Sequence, residues 1–342
     1  MRWITLPESE RAPVLAAIDA FWQQFVGRAK RIDALFRMQD RWDVVTWMNE
    51  QLATITPGLL WEFGPGPDGH RLVITPEAVR TKRAVVDTLI ERAPKLPGWS
   101  FAFARPPATP EVAANFVEHR TGARIAGARV GVMPAEDHRI GLRWSLPDSH
   151  AAFDAAFVAT ERLLGERMLD DWVGAIEPVE SPDGLRGWET LPVLFHAARN
   201  TILAGLPDEP FHRRDPTQTP SAMWKMEEST DGLIVARSTH PEMWKAARTS
   251  PMFVSDRFSR HGERFATLRL ETRDKYDLED ALDERLRASE LGAVLGGGAG
   301  EDFSTIDLAL SDVMQGVDIV RALSGGQGEL RFLDADLAKE GF

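Results

Sequence analysis

The stretch "ALSGGQGELRFLDAD", Ala322 to Asp336, holds two short signals of nucleotide chemistry: LSGGQ, whose serine and glycine amides can grip a terminal phosphate, and LDAD, which looks like the acidic end of a magnesium-binding strand. That chemistry needs partners. A lysine-bearing phosphate loop, G-x-x-x-x-G-K-[ST], must supply the other half of the site, and the chain contains no Gly-Lys pair at all. The direction is also wrong. Val313 to Leu323 reads as a helix, so Ser324-Gly325-Gly326 falls at its end, where glycine accepts the left-handed backbone that stops a helix. The expectation is a helix cap and no ATP binding.

"LGGGAGEDF" raises the same question. A phosphate cradle requires strand, glycines, then a helix whose N-terminus meets the anion. Here Gly296 to Gly300 are followed by Glu301-Asp302 and another strand-like run. Two carboxylates repel an anion, so a flexible hairpin connection or a bulge is expected. Of the eight histidines, none forms H-E-x-x-H or another i, i+4 pair. "EDH" at 136–138 is the densest local set of possible ligands. Its counterpart 165 residues later is Glu301-Asp302-Phe303, without the histidine. Glu136, Asp137, His138, Glu301 and Asp302 are therefore the candidate binding residues; no metal site and no cofactor are expected. Asp277, Glu279, Asp280, Asp283 and Glu284 suit the positive end of a helix dipole. No G-x-S-x-G is present for serine catalysis.

The elements that must position these residues follow from patterning. The chain has 342 residues, 43% hydrophobic and 27% charged, enough for two ordinary domains. With no cysteine, disulfides and thiol chemistry are excluded. A net charge of −12, with no basic block interleaved with aromatics, argues against nucleic-acid partners and anionic membranes. No apolar run is long enough to span a bilayer. "MRWITLPESERAP" lacks the basic start and apolar stretch of a secretory signal, and a cytoplasmic location is expected. Eleven tryptophans against one tyrosine read as core packing.

Residues 1–56 read as a helical N-terminal segment: Val14, Ile18, Phe21 and Phe25 recur at helical spacing, and two further runs follow. From Leu59 the period changes to that of strands. Asp68-Gly69 marks a hairpin, Pro76 a helix start, and "WSFAFA" a strand. Residues 57–180 form a first α+β domain, residues 181–221 a connecting helix and Pro-rich linker, and residues 222–342 a second α+β domain. The order repeats: Trp224 precedes Asp231-Gly232 as Trp61 precedes Asp68-Gly69, Pro241-Glu242 lies 165 residues after Pro76-Glu77, and Gly292-Ala293 lies 165 after Gly127-Ala128. The last six elements of each copy spell strand-helix-strand-strand-helix-strand, the split β-α-β order. The expected fold is a tandem duplication of a ferredoxin-like α+β domain. In the second copy Ala266, Leu268 and Leu270, then Ile306, Leu308 and Leu310, alternate toward Leu282, Leu286, Val317 and Val320 on two helices.

"LLWEFGPGPDGHRLVITP" and "LPGWSFAFARPP", with "LLGERMLDDWVGAIE" at 163–177, resemble a group of uncharacterised bacterial proteins of unknown function. The resemblance covers about residues 59–107 and 163–177. It carries no assigned catalytic residue and implies a binding or accessory role. Composition and motifs lead to the same expectation: a non-enzymatic regulatory or accessory protein whose unknown partner is a protein or small molecule. Its ligand would lie between the copies or on an exposed sheet face. The alternative is a hydrolase-type enzyme with a site assembled between the two duplicated domains.

Overall fold

In a computed structural model that describes residues 8–67, 69–147, 152–215, 217–219, 221–226, 232–250 and 252–334, the chain is mixed α+β and divides into two units. One contains Met1–Pro107 with Gly165–Arg167; the other contains Ala108–Leu164 with Met168–Phe342. The boundary at Pro107 falls inside the segment 57–180. Asp68 and Asp231, the acidic halves of the two Asp-Gly pairs, lie outside the described residues, as do Pro216, Pro220 and Asp336.

The first unit starts with α1 (Glu8–Phe36), one 29-residue helix where the sequence suggests two runs. It continues with α2 (Val44–Ile55), whose first turn is capped by the Asp43 carboxylate accepting from the Thr46 N–H. The hairpin β1 (Leu60–Gly66) and β2 (Gly69–Thr75) follows, then α3 (Arg83–Glu91) and β3 (Trp99–Ala102). The helix expected from Pro76 begins only at Arg83, after a 3-10 turn, and Glu77 takes a positive φ of 48°. The core is aromatic. Trp22 meets Phe101 edge-on at 4.7 Å, and Phe25 meets Trp99 at 5.0 Å.

The second unit has two parts. Its first part runs α4 (Pro110–Thr121), β4 (Arg129–Pro134), β5 (Ile140–Ser145), α5 (Ala152–Leu164), α6 (Glu166–Trp172), β6 (Val173–Pro178), β7 (Arg186–Gly187) and α7 (Leu191–Gly205). The leading residues of α6, Glu166 and Arg167, are counted with the first unit. Buried Val130, Leu142 and Trp144 from the strands pack with Ala156, Leu163 and Phe195 from the helices. Its second part runs β8 (Ala222–Lys225), β9 (Val235–Ser238), α8 (Pro241–Thr249), β10 (Arg264–Leu270), α9 (Tyr276–Ala288), β11 (Gly292–Ala299), β12 (Ser304–Leu310), α10 (Val313–Ser324) and β13 (Glu329–Phe332). These strands form one six-stranded sheet in the order β13-β10-β12-β11-β9-β8. Leu268, Ile306, Leu308 and Leu330 meet Leu282, Leu286, Val317 and Val320 on one face, as the alternation predicts. Phe265, Leu295 and Ala309 meet Met243, Phe253 and Phe258 on the other.

The strand orders correct the expectation of a duplicated ferredoxin-like arrangement. β3, expected to open the first copy's sheet, pairs in parallel with β2 in a separate sheet of order β1-β2-β3. The sheet of the first copy is β6-β5-β4-β7, and β5 and β6 are parallel neighbours. In the second sheet β10 stands between the matching pair, β13 and β12, and is antiparallel to both. The physical reason lies in Trp99 and Phe101. Their rings have Trp22 and Phe25 to pack against; both are half-buried there, so each contributes part of the roughly 1.5–3 kcal/mol that full burial gives. With that strand absent, the last strand closes on β5 and keeps its direction.

Among the described residues, no helix is long and apolar enough to cross a membrane.

Candidate functional site

The five candidate residues sit in two hairpin turns. Glu136-Asp137-His138 form a 3-10 turn between β4 and β5, with Asp137 and His138 at φ of 56° and 58°. The His138 ring is held: Nδ1 lies 2.7 Å from the Arg257 carbonyl, Nε2 lies 3.2 Å from Glu242, and the ring packs at 4.8 Å on Phe258. Both contacts face acceptors, so the ring acts as a clip between two parts of the second unit. Asp137 lies 3.9 Å from Arg139. Glu301 and Asp302 are exposed in the turn between β11 and β12. Among the described residues, no group of three or more histidines and carboxylates is arranged to hold a metal ion.

In the first unit three carboxylates do converge, and an arginine already occupies the meeting point. Arg105 reaches Glu62 at 3.2 Å, Glu77 at 2.9 Å and Glu166 at 3.6 Å. Buried Glu166 also accepts from the Arg105 main-chain N–H at 3.0 Å and from the Thr75 hydroxyl. A buried carboxylate satisfied in this way is a structural anchor.

The glycine-rich signals resolve as backbone devices. Gly325 ends α10 in the left-handed conformation, and the Gly326 N–H donates 3.0 Å to the Arg321 carbonyl, which makes a Schellman cap of LSGGQ. Gly296, Gly297 and Gly298 lie inside β11, after a bulge between Val294 and Gly296. They are not a flexible connection. A Cβ on Gly297 would fall 1.9 Å from the Thr305 carbonyl and 2.6 Å from Lys275 Nζ. The missing side chain makes room for Lys275, which donates to the Thr305 carbonyl at 2.7 Å and pairs with buried Glu279 at 3.0 Å.

A cavity with polar lining lies elsewhere, on the face of the six-stranded sheet opposite α9 and α10. Strand alternation points Thr267 and Arg269 of β10 away from the Leu268 core, and likewise Thr305 and Asp307 of β12 and Glu329 and Arg331 of β13. Cross-strand register sets them in two rows, Arg331–Thr267–Asp307 and Glu329–Arg269–Thr305. α8 lies over this face, presenting Met243, Trp244, Ala247 and Arg248; Met226, Leu233 and Leu333 close the sides. The cavity is partly open to solvent and measures about 610 Å³, within the range of small-molecule sites.

Its groups are electrically distinctive. Asp307 is buried, and burial pushes its carboxyl above the ordinary carboxylate range; the Thr267 hydroxyl, donating to Oδ1 at 2.7 Å, and the Lys275 and Arg248 charges pull the other way. Trp244 stacks on Trp224 with centroids 4.2 Å apart and planes 9° from parallel, and the Arg248 guanidinium lies 4.7 Å from the Trp244 ring. Arg269 lies 3.7 Å from the Phe303 ring and pairs with Glu271 at 3.2 Å; Arg331 pairs with Glu329 at 3.0 Å. Three guanidiniums face two carboxyl groups, so the lining is positive in a chain whose net charge is −12.

None of the five sequence candidates lines this cavity. The strand residues that do alternate with an apolar inner face and, read along one strand, look like a solvent face. One signal was present: Asp307 lies in "STIDLAL", between Ile306 and Leu308. No family model, curated protein or solved structure matches the chain.

Proposed function

We propose that the protein binds a small organic molecule in the cavity between α8 and the six-stranded sheet, as a non-enzymatic regulatory or accessory protein. One observation carries this reading: three arginines and a tryptophan line one partly open cavity of ligand size. The lining favours binding over catalysis. It has no histidine, lysine, serine or cysteine, and its two acids, Asp307 and Glu329, are engaged by Thr267 and Arg331. The strand order β13-β10-β12-β11, with α9 and α10 on one face, supports a ferredoxin-like reading of this part of the chain, its free face serving as the ligand platform.

The test is calorimetric titration of the full chain with small organic acids, alcohols and amines, alongside Trp244→Ala. We expect one class to bind at one molecule per chain, unchanged when recovered, and to lose at least tenfold in affinity in the variant. A folded protein that binds none of them at millimolar concentration would refute the reading.

A further inference from the structure

The cavity lining combines guanidinium groups with apolar side chains, and the combination specifies a ligand. Arg269 and Arg331 occupy diagonal positions on neighbouring strands, since Arg331 pairs with Thr267 and Arg269 with Glu329 in the register. Diagonal side chains on one face of a sheet are within reach of each other. Two like charges placed so are mutually repulsive unless an anion lies between them. Glu329, opposite Arg269 in the register and 3.0 Å from Arg331, now takes that place. Arg331 is 65% exposed and Arg269 40%, and each is paired with a carboxylate two residues away on its own chain, 54% exposed in Glu329 and 78% in Glu271. Exposed pairs of that kind contribute little, of order 0–1 kcal/mol, and a ligand anion can replace them. Arg248 contributes a third guanidinium from α8.

The type of anion is constrained as well. Phosphate sites are built from unpaired main-chain N–H groups at loops and helix N-termini. Here the floor is a sheet whose N–H groups are engaged in the ladder, and α8 offers residues 243–248 from its side. The donors are guanidinium groups, whose planar fork matches carboxylate and phosphate alike, so the missing main-chain donors are what favour a carboxylate here. Met226, Met243, Leu233 and the Trp244 ring supply the apolar part of the lining. Methionine sulfur and indole favour a flat aromatic body, because the thioether is polarisable and adapts to ring edges.

We propose that the ligand is an aromatic monocarboxylic acid, its carboxylate bridging Arg269 and Arg331 and its ring against Met243 and Trp244. The proposal rests on the reading of the cavity as a binding site, and the experiment separates the two. Four probes are titrated into the full chain at pH 7 by calorimetry: 2-naphthoate, 2-naphthalenemethanol, 2-naphthyl phosphate and octanoate. The same titrations are run on Arg269→Gln/Arg331→Gln. We expect 2-naphthoate to bind at least tenfold tighter than each of the other three. We also expect the double variant to lose at least tenfold for 2-naphthoate and to keep the affinity for 2-naphthalenemethanol, which shows that the apolar lining is intact. If the alcohol binds as tightly as the acid, or the phosphate or octanoate binds best, the aromatic monocarboxylate is wrong while the cavity remains a binding site. If all four fail at millimolar concentration, the binding reading falls with it.

Discussion

Gly326→Ala and Gly296→Ala perturb two glycine-rich stretches that look alike in sequence and do different things in space. Gly326 has a φ of 73°, and no atom lies within 4 Å of where a Cβ would go. Only backbone conformation opposes alanine there, at about 1–2 kcal/mol. The reduced freedom of the unfolded chain returns about 0.4–1 kcal/mol, so the net loss is about 1 kcal/mol. Gly296 has a φ of 143°, and its Cβ would meet the Arg237 carbonyl oxygen at 2.0 Å. That oxygen belongs to β9, the strand hydrogen-bonded to β11 at this point. Restoring a normal contact requires the strands to part by roughly an ångström or more. The strain is about 1–3 kcal/mol, and each ladder bond lost adds about 1 kcal/mol, for a total of about 3–5 kcal/mol. Both sites lie in the same sheet-bearing part of the second unit, so urea melts of that transition compare them directly. An ATP–magnesium titration of the wild type and of Gly326→Ala accompanies the melts. Equal losses would refute the geometric argument. Saturable ATP binding abolished by Gly326→Ala would refute the capping role of LSGGQ.

Two further outcomes are expected. His240 is buried with Nε2 3.1 Å from the Phe258 carbonyl, and burial lowers its pKa to about 4. Above pH 6.5 neither the folded nor the unfolded state is protonated there; as pH falls from 6.5 toward 4 the unfolded state takes up the proton first, and stability drops by about 3 kcal/mol. Urea midpoints across that range should show the drop, and His240→Gln should flatten it; an equally steep profile in the variant would remove His240 as the cause. Elemental analysis of the purified chain should find no stoichiometric transition metal, and about one zinc, nickel or iron per chain would overturn this and point first to His138.

How far the fold could be read depended on whether a pattern was local. The alternation of Leu268 and Leu270 against Ile306 and Leu308, and the spacing of Leu282 and Leu286, report which face is buried, and each is found in one core. "WSFA" reports a strand but not its neighbours. Nothing within four residues says that Trp99 and Phe101 join Trp22 and Phe25, some 75 residues earlier in the chain. The site was missed for a related reason. Thr267 and Arg269 look like a solvent face when read along one strand, and α8 changes that by lying over them. All seven residues of β12 are buried. A strand enclosed on both sides turns its polar residues into a lining, and Asp307 was the visible trace of it.

The short excursion of Gly165–Arg167 into the first unit has a consequence for how the chain is made. Arg105 and Thr75 need the Glu166 carboxylate, and Glu166 is synthesised about 60 residues after Pro107. At about 5–20 residues per second, the N-terminal unit must wait roughly 3–12 s on the ribosome for its last buried acceptor. During that interval α4, β4, β5 and α5 are made, so the first unit is completed only after the leading elements of the second. A nascent chain stalled before residue 166 should expose the Arg105 and Thr75 donors, and a pause placed far enough downstream for residue 166 to have left the exit tunnel should protect them.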